Sequence, residues 1–216
     1  MKAKKLLLSL LTTICLGFFA LTITSCDLFT SESIDVVTPS EDSSTPDGSE
    51  TNQPVTEGLE FTLSDDGESY SVAGIGTATD TDIVIPSTYN DKPVTSIDEG
   101  AFVGCISLTS ITIPDSVTSI GMGVFQECDS LKSVNIPDGV SIISDWLFQG
   151  CESLENIYLP DSIISIGEFA FSGCISLTNI NIPNNVTRIG YNAFSGCSLT
   201  SITIPDSVTS IGSNAF

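Results

Sequence analysis

From Val94 onward the same side chains return every 23 residues, and this spacing restricts the fold to a stack of near-identical coils. Val94, Val117, Val140, Ile163 and Val186 keep the step, and Val208 follows after 22. Phe102, Phe125, Phe148, Phe171 and Phe194 keep it too, as do Cys105, Cys128, Cys151, Cys174 and Cys197. The prolines Pro114, Pro137, Pro160 and Pro183 repeat likewise, with Pro205 one residue early. Counting from each aliphatic residue gives coil 1 at residues 94–116, coil 2 at 117–139, coil 3 at 140–162, coil 4 at 163–185, coil 5 at 186–207 and an incomplete coil 6 from 208.

Within a coil the apolar positions trace the path of the chain. Ile111 and Ile113 alternate with Ser110 and Thr112, the period of a short strand with one buried face. Pro114 and Asp115 then bend the chain, proline by fixing φ and aspartate by accepting a hydrogen bond from nearby amides. A second extended piece, Val117 to Ile120, closes at Gly121, and the segment around Val124 and Phe125 reads as a helical turn leading to the next strand. One coil buries too little apolar surface to offset the entropy of ordering itself, so neighbouring coils must cover each other's faces and the ends must be capped. The expected fold is therefore a β-rich repeat solenoid. It has a parallel sheet on one face, short helical or 3-10 turns on the return, repeats over residues 93–216, and a β cap with an opening coil over 58–92. In that cap, Leu59 to Leu63 and Tyr70 to Ala73 flank Asp66-Gly67 as a hairpin, and Ile83 to Ile85 form a further strand.

The phrases LTSITIPDSVTSIG (residues 108–121), YNAFSGC (191–197) and IPSTYNDKPVTSI (85–97) resemble the BspA-type leucine-rich repeats of bacterial surface proteins. The resemblance covers residues 58–216 and implies cell-surface binding, since the family includes adhesins for host matrix proteins or other microbes; it names no ligand. Coil 3 departs from the pattern: Ser144 stands where Gly is usual and Leu147 where Ala is usual. The repeat stops midway through a coil at Phe216, which reads as a piece of a longer product.

Residues 1–25 read as an export signal, with Lys2, Lys4 and Lys5 ahead of the apolar run Leu6 to Ile23. The stretch Ile23-Thr24-Ser25-Cys26 resembles a lipobox, which would make Cys26 a lipid-modified N-terminus; ordinary secretory cleavage and an uncleaved anchor are the alternatives. Residues 26–57 are rich in Ser, Thr, Pro and acid and form an expected solvated tether, about 30 Å in root-mean-square reach. After Cys26 there are 27 acidic and three basic residues, a net charge of −24 that repels nucleic acid and anionic lipid. The chain has no His, so hydrolysis of the Ser-His-Asp type is excluded and no nucleophile–base pair stands out. The reading is thus a non-catalytic binding module with no cofactor. It is exported to a bacterial envelope, anchored to the membrane by lipid, and binds a protein or glycan; a passive scaffold or spacer is the alternative.

Four groups of residues are candidates for chemistry. The Cys ladder would make a thiolate metal stack or a disulfide framework, but one Cys per coil fits five inward apolar fillers better. Asp115, Asp138, Asp161, Asn184 and Asp206 line up as turn residues, too few per coil for a calcium site. A candidate binding face is formed by the outward strand residues Ser110, Thr112, Ser133, Asn135, Asn156, Tyr158, Asn179, Asn181, Ser201 and Thr203, small, polar and uncharged groups suited to a glycan or extended polypeptide. The fourth group is a flank patch. Trp146 and Phe169 replace Gly100, Gly123, Asn192 and Asn214, while Ile142 and Ile164 replace polar residues, on the side opposite the main sheet. Both rings would equally serve as local packing over the coil.

Overall fold

The computed structural model describes residues 55–216; the expected signal, Cys26 and most of the tether lie outside them. The fold takes in Thr56, which is buried and joined to Val84 through both its amide and its hydroxyl.

The chain opens with an antiparallel hairpin, β1 (Glu60–Leu63) and β2 (Tyr70–Gly74), turned at Gly67 with φ of 73°. Next come β3 (Asp82–Val84), β4 (Thr88–Tyr89) and β5 (Lys92–Ile97). The hairpin supplies a rung at one edge of the stack, because β2 pairs in parallel with β5, which pairs with β7 (Ser119–Ile120). Phe61 stacks on Tyr89 at 4.1 Å, with Tyr70 edge-on to both.

Two sheets run along the solenoid. The first contains β3, β6 (Ser110–Thr112) and β8 (Ser133–Val134), all parallel, and extends one step further through a single bridge from Asn135 to Tyr158. The second, on the Val117–Ile120 side of the coil, resumes in coils 3 to 6 as β9 (Ile142–Ile143), β10 (Ser165–Ile166), β11 (Arg188–Ile189) and β12 (Ser210–Ile211). The expected main sheet therefore fades after coil 3, and Asn179, Asn181, Ser201 and Thr203 lie outside any strand. The larger pairing surface is on the other side. There Ile120, Ile143, Ile166 and Ile189 point inward at each step and are buried.

The return is not helical: among the described residues there is neither α- nor 3-10 helix. In each coil the amides alternate between two destinations. Ala101, Val103 and Cys105 donate three residues back to Asp98, Gly100 and Phe102, while Gly100, Phe102 and Gly104 donate to Met122, Val124 and Gln126 in the next coil. A helix would direct every amide within its own coil; here two residues four apart in each return, as at Gly100 and Gly104, take positive φ and break the helical run, and every second N–H points to the next coil. Gly100, Gly104, Gly123, Gly150, Gly173 and Gly196 occupy such positions without steric cost.

The core is a column. The five repeated Phe side chains are at most 1% exposed, and their rings stack with Phe216 at 5.3–5.9 Å along the axis. The thiols of Cys128, Cys151, Cys174 and Cys197 each donate to the carbonyl of the Phe 26 residues earlier, at 3.0–3.1 Å. They thus tie adjacent coils as well as filling space, and these four remain thiols. Cys105 and Cys197 are only half-buried, so the inward set is three fully buried residues and two end members. Burial pushes the Cys128 and Cys151 thiols up, Cys151 to about 12.

The proline turn is closed by backbone alone: Val117, Val140, Ile163, Val186 and Val208 donate to the carbonyls of Pro114, Pro137, Pro160, Pro183 and Pro205. The side chains of Asp115, Asp138, Asp161 and Asp206 stay exposed. Ties between coils come instead from the residue after the Asp or its equivalent, through Ser116, Ser162, Asn185 and Ser207.

Candidate binding surface

Coil 3 breaks the regularity of the second sheet, and the cause is one residue. At Gly121, Gly167, Gly190 and Gly212 successive backbones approach so closely that an added Cβ would sit 2.4–2.6 Å from main-chain nitrogen or carbon of the preceding coil. Each of these glycines donates its amide across that contact, to Ile97, Ile143, Ile166 and Ile189. Ser144 occupies the same slot. Its Cβ holds coil 3 away from coil 2, and its hydroxyl donates to the Ile120 carbonyl at 2.5 Å where the amide of a glycine would. Strands β7 and β9 accordingly belong to different sheets. Between them a cleft of about 140 Å³ is lined by Thr118, Ser119, Ile120, Val140, Ser141, Ile142 and Ser144.

Ile142 is 49% exposed at the lip of this cleft and Ile164 is 48% exposed one coil on. Register places Ile142 against Ser165, so the two isoleucines lie on a diagonal at the second sheet.

Trp146 and Phe169 follow four and five residues after these isoleucines. Their rings are half-buried and stacked, with centroids 6.2 Å apart and planes 15° apart, and Tyr191 meets Phe169 edge-on at 5.2 Å. The backbone beneath them is strained: φ is 56° at Trp146 and 54° at Phe169. Gly and Asn hold this slot in the other coils because both tolerate the left-handed conformation, whereas a bulky side chain there costs about 1–2 kcal/mol. Asp145 and Glu168 immediately precede the rings. Asp145 accepts the Glu168 amide at 2.6 Å, and Glu168 meets Arg188 at 3.7 Å.

The sheet-face candidates are less uniform. Ser110 is half-buried and donates with Thr109 to Asp82, which these two hydroxyls hold below the usual carboxylate range. Asn135 spends its amide on the Ile113 backbone, donating from Nδ2 at 2.7 Å and accepting at Oδ1 at 2.8 Å, so it mends the ladder rather than facing a ligand. Tyr158 is 70% exposed, and Thr112, Ser133, Asn156, Asn179, Asn181, Ser201 and Thr203 are exposed around it. The departures that converge in space are Ile142, Ser144, Trp146 and, in the next coil, Ile164 and Phe169. Sequence reasoning identified the substitutions but missed their geometric meaning: Gly in the stacking slot marks close backbones, and Gly or Asn in the aromatic slot marks positive φ.

The repeat register and the solenoid agree with the comparisons. The model of the BspA type leucine rich repeat region matches six copies across residues 95–216. The chain belongs to the BspA-type leucine-rich repeat family. This leucine-rich repeat protein is similar to a Treponema pallidum leucine-rich repeat protein of known structure, at 28% identity and a TM-score of 0.67 over 74% of this chain and 82% of that one. A Bacteroides ovatus leucine-rich repeat protein aligns at 36% identity and 0.65 over 71% of this chain. A leucine-rich cell surface protein of Faecalibacterium prausnitzii aligns at 31% identity and 0.60 over 74%. This chain spans 42% and 38% of those two proteins. No curated protein matches the chain significantly. Among the described residues, no helix is long and apolar enough to cross a membrane.

Proposed function

We propose that this leucine-rich repeat protein is a bacterial cell-surface binding module. In this reading it is exported, lipid-anchored at Cys26, held clear of the membrane by its acidic tether, and binds another protein through the coil 3–coil 4 edge. The family and the cell-surface protein among its structural relatives support the surface role; the lipobox-like sequence supports the anchor. One observation supports the contact edge above the others: residues 142–146 combine an exposed Ile, a sheet opened by Ser144 and a strained Trp, three costs that a purely structural coil has no reason to carry. Solenoids repeat their coils for stability, so a coil that departs from its neighbours at several positions marks where a partner is distinguished. Tyr158 and the polar strand residues around it provide a secondary, glycan-compatible face.

The test compares the full chain with a Trp146→Asn, Phe169→Asn variant on arrays of matrix proteins and glycans. The reading requires a protein ligand whose binding falls at least tenfold in the variant while the fold is retained. Equal binding by both would place the contact elsewhere, and binding by neither would favour a spacer. Metabolic labelling with palmitate, present in the natural chain and lost in Cys26→Ser, tests the anchor.

A further inference from the structure

The same edge carries information about its partner's chemistry, because acid and aromatic side chains are concentrated together. Residues 127–168 contain eight carboxylates and one Lys, whereas residues 169–216 contain only Asp206 and Arg188 as charged groups. The array is therefore strongly acidic in its middle coils and neutral beyond them, and the change begins at Phe169, with Trp146 on the acidic side. Six of these eight carboxylates are exposed; the other two, Asp145 and Glu168, are half-buried and immediately precede the two aromatic residues in the chain. Of the exposed six, Glu127 belongs to the preceding coil, its Cα and Cγ standing over Gly150. Arg188 offsets only Glu168, and does so at 3.7 Å between side chains that both remain largely open to solvent, an arrangement of little strength.

We infer that the coil 3–coil 4 edge docks an extended, basic segment of a partner polypeptide, with a Lys or Arg side chain against Trp146 and Phe169 and an aliphatic side chain in the β7–β9 cleft. This rests on the reading of that edge as the contact surface. Each part of the surface fits one part of such a segment. The indole and phenyl faces attract a cation and prefer the planar guanidinium of Arg. Asp145, Glu168 and Glu127 compensate its charge and raise the encounter rate with a basic partner while repelling acidic ones. The 140 Å³ cleft, lined by Ile120, Val140 and Ile142 with Ser119, Ser141 and Ser144 at its rim, has the room and the mixed character for one side chain and its backbone. An anionic glycan or phosphorylated partner would meet uncompensated carboxylates along the same edge.

Trp146 is the only Trp in the chain, so its emission reports on this edge alone. The full chain is titrated with a ten-residue synthetic peptide bearing three Arg, two Lys and two Leu, and with the same peptide carrying Gln at every basic position. Calorimetry on the same samples detects binding anywhere on the chain. The inference requires a saturable change in emission with the basic peptide and at least tenfold weaker binding of the Gln peptide. It also requires a several-fold loss between about 0.05 and about 0.2 M salt, and a tenfold or greater weakening in Asp145→Asn, Glu168→Gln at unchanged melting temperature. If the Gln peptide shifts the emission equally well, the edge is a contact surface but the basic partner is wrong. Heat of binding with silent Trp146 emission would overturn both, and absence of binding by either peptide would overturn the basic partner.

Discussion

The second sheet crosses two stretches of the same solenoid in different ways. In coils 4 to 6, Gly167, Gly190 and Gly212 let backbones touch and the strands pair without interruption, with Asn192 and Asn214 in the left-handed slot of coils 5 and 6. In coil 3, Ser144 separates the sheets, Trp146 takes the same left-handed slot at a cost, and Ile142 stands exposed. The buried column beneath is the same in both stretches, with Phe148 and Phe194 stacked alike between neighbours at 5.3–5.5 Å. The core of the array is thus indifferent to position, while its edge is not. Regular stacking supplies stability, and the departures in coils 3 and 4 supply a distinguishable surface.

The largest expected effect tests that indifference. Phe148→Ala and Phe194→Ala should each destabilise by about 3–5 kcal/mol in denaturant titrations, because both remove a fully buried ring from a column with neighbours on each side. A much smaller loss at Phe194 would show that the two stretches differ in the core as well. Next, Gly190→Ser should import the coil 3 irregularity into a regular coil. With an added Cβ 2.5 Å from Gly167, the expected cost is about 1–3 kcal/mol, read as a lowered Tm. The converse, Ser144→Gly, should let β7 and β9 pair and gain about 1 kcal/mol while weakening partner binding. Trp146→Asn should change stability least, within about 1 kcal/mol, since relief of strain offsets lost ring contact.

A pH titration sharpens the common part of the comparison. Burial raises the Cys151 thiol from near 9 to about 12, so the unfolded chain loses its proton first on going up in pH. The folded state then binds more protons than the unfolded state, and stability falls as pH rises from about 9 toward 12. Equilibrium unfolding across that window should show the decline in the natural chain and a shallower one in Cys151→Ala.

Much of this was legible in the residues. The 23-residue period gave the stack, and the recurrence of Phe, Cys and Pro placed the column and the turns, because a buried slot in a repeat accepts few side chains. The helical return was misread because apolar spacing around Val124 and Phe125 does not distinguish a helix from successive turns. Gly100, Gly123, Asn192 and Asn214 carried the missing signal, since only left-handed backbone favours that pair of residues. The dominance of the second sheet was hidden for a different reason. Both sides of the coil alternate polar and apolar residues, and only the direction of backbone amides decides which one pairs. Ser144 was visible as a departure, but its consequence depends on the distance between stacked backbones, which one coil's sequence does not express.

The central claim is that the second sheet is continuous everywhere along the stack except between coils 2 and 3. Residue-resolved hydrogen exchange tests it directly, by comparing the amide of Ser144 with those of Gly121, Gly167 and Gly190, which are bonded across their coil junctions. The structure predicts exchange at Ser144 at least tenfold faster than at the three glycines. Equal protection at all four positions would mean that β7 and β9 are paired after all, and would remove the physical basis for a distinct edge in coil 3.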